Sequence, residues 1–184
     1  MPKTLPLLRG EITYSTARLE EVDILQRLEY PRQQKEFFAS VAQSQDWIKA
    51  VIAHHLSLPS SDSCQVAAVE DWLHGSFNVC IPVHIKDWKT RAQRGTRVLL
   101  RLPLPYRVGE NHCPGNSDEK IRCEAGTYAW LQENCPDVPI PRLYGFATSD
   151  GERVRINFSY CLSDSFRHSL IENSSLRIPI SSLS

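Results

Sequence analysis

The chain has 184 residues, 41% apolar and 23% charged, with 21 basic residues set against 21 acidic, an ordinary globular composition. Such a length suits one domain with some extension and excludes a large two-lobed enzyme, and zero formal charge excludes a protein held to nucleic acid mainly by phosphate neutralisation. No apolar run approaches the roughly 20 residues of a membrane-spanning helix, and Met1–Gly10 carries only a short Leu-Pro-Leu-Leu stretch, so a cytoplasmic chain without nucleic-acid or membrane partners is expected.

From Thr16 to Leu56 the sequence reads as helix. Leu19, Val22, Leu25, Leu28 and Tyr30 recur near helical spacing, and Pro31 predicts a boundary or a new first turn. Phe37, Phe38 and Val41 mark a second segment. Ser44 is the candidate N-cap of a third, which places Trp47, Ile48, Val51, Ile52 and His55 on one face. Each stripe needs something to pack on. His54 and His55 are adjacent, so they point about 100° apart and read as a helix-end detail rather than a metal site.

Ser57–Ser63 is a Ser-Pro-rich connector. Beyond it, short apolar runs predict strands at Val66–Leu73, Phe77–Ile85 and Arg97–Leu102, the first two joined at His74-Gly75 as an antiparallel pair. Lys86, Lys89, Arg91, Arg94 and Arg97, with Trp88 among them, link the last two. In a chain of balanced charge this stretch reads as a solvated connector more readily than as a nucleic-acid patch. Asn116–Cys135 is the strongest helix: Asn116 and Glu119 have capping-box spacing, acidic residues fill the first turn and Pro136 closes the end. Val138-Pro-Ile-Pro-Arg continues as extended chain. Arg142–Ser149 and Glu152–Phe158, around Asp150-Gly151, predict a hairpin. From about Ser159 the serine-rich sequence has no period and reads as a disordered tail. The organisation expected is a helical extension at 1–63, a sheet-and-helix lobe at 64–158 and a tail at 159–184. Six cysteines, no two in a C-x-x-C pair, read as reduced structural thiols.

One position conflicts with its surroundings. Ile121, Glu124, Tyr128, Leu131 and Cys135 share a helix face, so Glu124 interrupts an apolar stripe and needs a cation or a proton. Arg101 closes the apolar run Val98-Leu99-Leu100 and is the nearest strand cation. A strand arginine facing a helix glutamate is a specific arrangement.

Taken in order, Gly75-Ser-Phe-Asn78 between two strands, Val98-Leu-Leu-Arg101-Leu-Pro103, Glu124 on a helix, and Val138-Pro-Ile-Pro141-Arg-Leu-Tyr form a longer pattern. It resembles the amino-terminal lobe of the aminoglycoside-phosphotransferase-like kinases, above all the large fungal set in which a Trp-Leu-His-Gly-Ser-Phe-Asn-Val stretch opens the fold. The resemblance covers roughly Val66–Glu152. It implies an α+β fold, a kinase-like N-terminal lobe of about five antiparallel strands with one packed helix, preceded by helices. It further implies ATP and Mg²⁺ as cofactors, with Gly75, Ser76, Phe77 and Asn78 forming the loop over the phosphates. Arg101 would hold the α- and β-phosphates and Glu124 would orient it. Arginine at this position offers a planar fork and a permanent charge.

The pattern also departs from those kinases. The loop has one glycine where G-x-G-x-x-G is familiar. The catalytic-loop aspartate, its asparagine and the metal-binding aspartate have no counterpart after Tyr144, so neither a catalytic residue nor an acceptor substrate is assigned. The molecule expected is a truncated kinase-like chain, reduced to its nucleotide-binding lobe and inactive alone. The alternative is a non-catalytic interaction protein, a pseudokinase fragment with a protein partner on the face that a second lobe would cover. Gly75 is then a plain hairpin turn, and Arg101 with Glu124 an ion pair without a ligand.

Overall fold

The computed structural model describes residues 3–86, 97–149, 151 and 153–155. A short antiparallel hairpin that the sequence pattern does not announce comes first, β1 (Thr4–Pro6) paired with β2 (Glu11–Thr13). Gly10 turns it at φ +78, a conformation glycine adopts without a Cβ penalty. Thr13 caps a single helical turn, α1 (Tyr14–Ala17), by accepting from the Thr16 N–H at 3.2 Å.

Helix α2 (Ile24–Gln43) starts at Asp23, whose carboxylate accepts from the Gln26 N–H, and it runs straight past Pro31. The boundary expected there does not form. A proline removes one intrahelical bond, and the packing of Tyr30, Phe37, Phe38 and Val41 against the core outweighs that loss. Arg32 also bridges Glu29 and Glu36 across adjacent turns, at 2.9 and 2.7 Å. The earlier apolar series is corrected too: Leu19, Val22 and Leu25 are exposed, and Tyr30 is the member of the series that packs against the core.

Helix α3 (Gln45–Leu56) follows at once. Ser44 occupies the N-cap position but makes no cap bond, since its hydroxyl donates back to the Ser40 carbonyl at 3.0 Å. Ile48, Ile52 and Ala53 face inward, while Trp47 of the expected face lies outside.

The expected strand Val66–Leu73 is in fact two, β3 (Cys64–Val66) and β4 (Leu73–His74), separated by a 3₁₀ turn at Val69–Asp71. Both pair antiparallel with one long central strand, β5 (Asn78–Ile85), and β6 (Arg97–Pro103) pairs along its other edge. Pro82, in the middle of β5, explains the break. Its carbonyl accepts from the Ala67 N–H, so the side of Pro82 that lacks a donor faces the same edge, and a continuous neighbour there would lose a ladder bond. The edge chain turns away at that point, and Trp72 Nε1 donates to the Ala67 carbonyl at 3.1 Å to hold the turn.

Strand alternation sorts the sheet into two faces. Val79, Ile81, Val83 and Ile85 of β5 are buried and join Val41, Ile48, Ile52, Ala53 and Trp72 in one apolar core. The helices before residue 63 and the sheet after it therefore share a core. Across the ladder, Arg101 stands opposite Cys80 and Leu99 opposite Pro82, and directly opposed residues share a face. These residues lie on the face that α2 and α3 do not cover.

After β6 come a short helix, α4 (Pro105–Val108), and a long one, α5 (Asn116–Asn134). A separate hairpin, β7 (Gly145–Ala147) with β8 (Arg153–Arg155), ends the described chain. It does not join the main sheet, so four strands stand where about five were expected, flanked by two independent hairpins. A Cβ on Gly145 would collide with the His55 ring and the Val154 carbonyl, which fixes the hairpin against the end of α3. Residues 159–184, and most of the basic connector, lie outside the described residues.

Ile48, fully buried on α3, tests the shared core. Ile48→Ala should lower stability by about 3 kcal/mol. In urea, far-UV circular dichroism and tryptophan fluorescence should shift together, whereas a sheet that unfolds apart from α3 would give two transitions.

Candidate functional site

The uncovered face of the sheet gathers its polar groups at one end. Arg101 projects from β6, and α5 sets Glu124 opposite it. Arg101 Nε and Nη2 reach the two Glu124 oxygens at 3.0 and 3.1 Å, a side-on bidentate pair. Lys120, one turn earlier on α5, also donates to Glu124. Asn78, the first residue of β5, completes the group: with its oxygen toward Arg101 Nη2 at 2.7 Å and its nitrogen toward the Phe77 carbonyl, both ends of its amide are satisfied.

The sequence thus brings the expected pair together, in a wetter setting than an apolar stripe suggests. The Arg101 side chain is 49% exposed and that of Glu124 31%. Ile121, Tyr128, Leu131 and Cys135 are each half-buried, and Ala125 is the buried residue of α5. Partial burial alone raises the Glu124 pKa, yet its bonds to Lys120 and Arg101 outweigh this and hold the carboxyl below the usual range. For Arg101, burial acts to lower the pKa and the Glu124 carboxylate more than offsets it.

The start of α5 is built differently from the expected capping box. Gly115, at φ +100, occupies the N-cap position, and Asn116 is already helical. The capping carboxylate belongs to Glu110, which accepts from the Gly115 and Ser117 N–H groups at 2.6 and 2.7 Å. Partial burial pushes its pKa up, and these two backbone bonds bring it below the usual range. Asp118 ties the same end to the turn after β7 by accepting from the Ser149 N–H at 2.9 Å.

Gly75, Ser76 and Phe77 form the exposed turn between β4 and β5, closed by the Gly75 N–H donating to the Asn78 carbonyl. Arg107, which sequence reasoning passed over, secures this turn. Its Nε donates to the Ser76 carbonyl at 2.8 Å, and its guanidinium lies over the rings of Tyr30 and Phe77. Lys120 was also missed, although its spacing of four from Glu124 is a helix-pair signal. Arg107 carried no such signal, since its partners come from two distant segments.

Chemically, the cluster carries a surplus positive charge: two cations share one carboxylate, and the pair does not use Arg101 Nη1. It does not fit a magnesium ion. Glu124 is committed to two cations, and among the described residues no group of three or more His, Cys, Asp or Glu is placed to hold a metal. The five cysteines among the described residues are free thiols, and no described helix is long and apolar enough to cross a membrane. Comparison with family models, with curated proteins and with solved structures finds no match to this chain.

Both lowered carboxylates link stability to pH. Each holds a folded pKa below its unfolded value of about 4.3, so its contribution is present above that pH and is lost as pH falls through the folded value. Urea midpoints should therefore drop on acidification below about pH 4.5. Glu110→Ala should remove about 1 kcal/mol at pH 7, and Glu124→Gln about 1 kcal/mol or less, given its exposure. Each variant should also flatten the acid limb of the pH profile.

Proposed function

We propose that the sheet and α5 form a kinase-like nucleotide-binding lobe that grips the phosphates of ATP between the Gly75–Asn78 turn and Arg101, without transferring a phosphoryl group by itself. The observation that carries this reading is the bidentate Arg101–Glu124 pair on the uncovered sheet face, with Asn78 from the end of the glycine turn bonded to it. Glu124 presents the guanidinium in one fixed plane, and the surplus cation suits a phosphate oxygen.

Gly75 supports the same reading. Its φ lies outside the left-handed region and a Cβ there would meet no atom within 4 Å, so the turn itself does not demand glycine. Close approach of a phosphate to the backbone N–H groups would. Phosphoryl transfer further requires a positioned base and a metal to neutralise the migrating group, and among the described residues no group of three or more His, Cys, Asp or Glu is placed to hold one.

A second reading has its own observation. Leu73 and Leu99, 61% and 50% exposed, stand opposite half-buried Cys80 and buried Pro82 on the same face, and such exposed leucines suit a partner-binding surface.

Calorimetric titration with ATP, with and without Mg²⁺, separates the two. The wild type should bind. Gly75→Val should weaken binding about tenfold or more at an unchanged thermal midpoint, and Arg101→Ala should weaken it at least as much. A folded wild type that binds no nucleotide overturns the proposal in favour of the partner reading, and measurable phosphoryl turnover overturns its non-catalytic half.

A further inference from the structure

Helix α5 turns one side, with Glu124 and the buried Ala125, toward the rest of the fold. Its outer side carries Arg122, Gly126, Trp130 and Glu133, all exposed, at spacings of four, four and three that keep them on one face. Gly126 stands in the helix interior, where glycine is the least favourable residue apart from proline. Among the described residues nothing accounts for it: a Cβ there would meet no atom within 4 Å, and its φ is not in the left-handed region. One turn further along the same face, Trp130 is 58% exposed, a large ring of the kind that anchors interfaces.

A hollow and a knob one turn apart on one face are self-complementary. With two copies of α5 antiparallel across a two-fold axis midway between them, Trp130 of each copy sits over Gly126 of the other, as an isologous contact requires. The missing side chain at Gly126 lets the helices approach and seats the indole. The charges agree with that register. Arg122 and Glu133 lie along the same edge of the face, so reversing the second helix brings Arg122 of one copy alongside Glu133 of the other, once on each side of the axis. A parallel pairing in register would set Arg122 against Arg122 and Glu133 against Glu133, which like-charge repulsion disfavours.

We infer that the outer face of α5 is an interface between two copies of this chain, in which Trp130 fills the hollow at Gly126 and Arg122 pairs with Glu133. A single helix pair lies at the small end of the interface range, so the dimer is weak and concentration-dependent. The face is on the far side of α5 from Glu124, and the inference stands whether or not the Arg101 cluster binds ATP.

Sedimentation velocity on the full chain, from about 10 µM to about 1 mM, tests it. The wild type should pass from monomer toward dimer across that range. Trp130→Ala should weaken association about tenfold or more. Gly126→Gln should weaken it as much while leaving the thermal midpoint of the dilute monomer equal or higher, because glutamine favours helix. Arg122→Glu and Glu133→Arg should each stay monomeric alone, since either homodimer would hold two like-charged pairs. An equimolar mixture of these two variants should associate, since both pairs across the axis are then opposite in charge. A wild type that is still monomeric at about 1 mM overturns the inference. So does a dimer that Trp130→Ala and Gly126→Gln leave intact, or a mixture of the charge variants that associates no better than either one alone.

Discussion

The architecture depends on the two-sided character of β5. Val79, Ile81, Val83 and Ile85 alternate with Asn78, Cys80, Pro82 and His84, and a strand period of two sends these sets to opposite faces. Because α2 and α3 bury the first set, the second set and its partners on β6 point to the other face, where Pro82 is buried while His84, Leu99 and Arg101 are exposed. Arg101 is therefore exposed for the same reason that Ile81 is fully buried: register fixes both at once, and a slip of one residue would exchange them.

That constraint also explains how one short turn joins the two sides of the sheet. The chain reverses at Gly75–Phe77 from β4, whose His74 ring packs edge-on to Phe38 of α2, into β5, whose Asn78 touches Arg101. The helical side and the uncovered side are thus joined by three residues. Arg107 fastens the junction by holding the Ser76 carbonyl while its guanidinium rests on Tyr30 and Phe77. An arginine stacked and hydrogen-bonded in this way positions the turn through packing as much as through charge.

The sequence made the local and the period-bound features legible. The hairpin at His74-Gly75, the long α5, the closing hairpin and the pairing of Arg101 with Glu124 all followed from short-range patterns, and the structure contains each of them. What stayed hidden depended on distant packing. Pro31 is tolerated because Tyr30 on one side of it and Phe37, Phe38 and Val41 on the other pack against the core, and Val66–Leu73 breaks opposite a proline in the partner strand. The cap of α5 by Glu110 reaches across a loop, so nearest-neighbour spacing pointed to Asn116 instead.

Zero net charge conceals how unevenly the charges are placed. Around Glu124, Arg101 and Lys120 leave a surplus of one positive charge on a half-exposed surface. Near the first hairpin, Arg27 is neutralised locally by Glu20, while Arg9 and Arg107 make no salt bridge with a described carboxylate. On α2 the balance runs the other way, with Arg32 held between two glutamates on the outer surface. Local surplus rather than total charge decides where an anion settles, because at ordinary ionic strength a charge is felt over only about 8–10 Å.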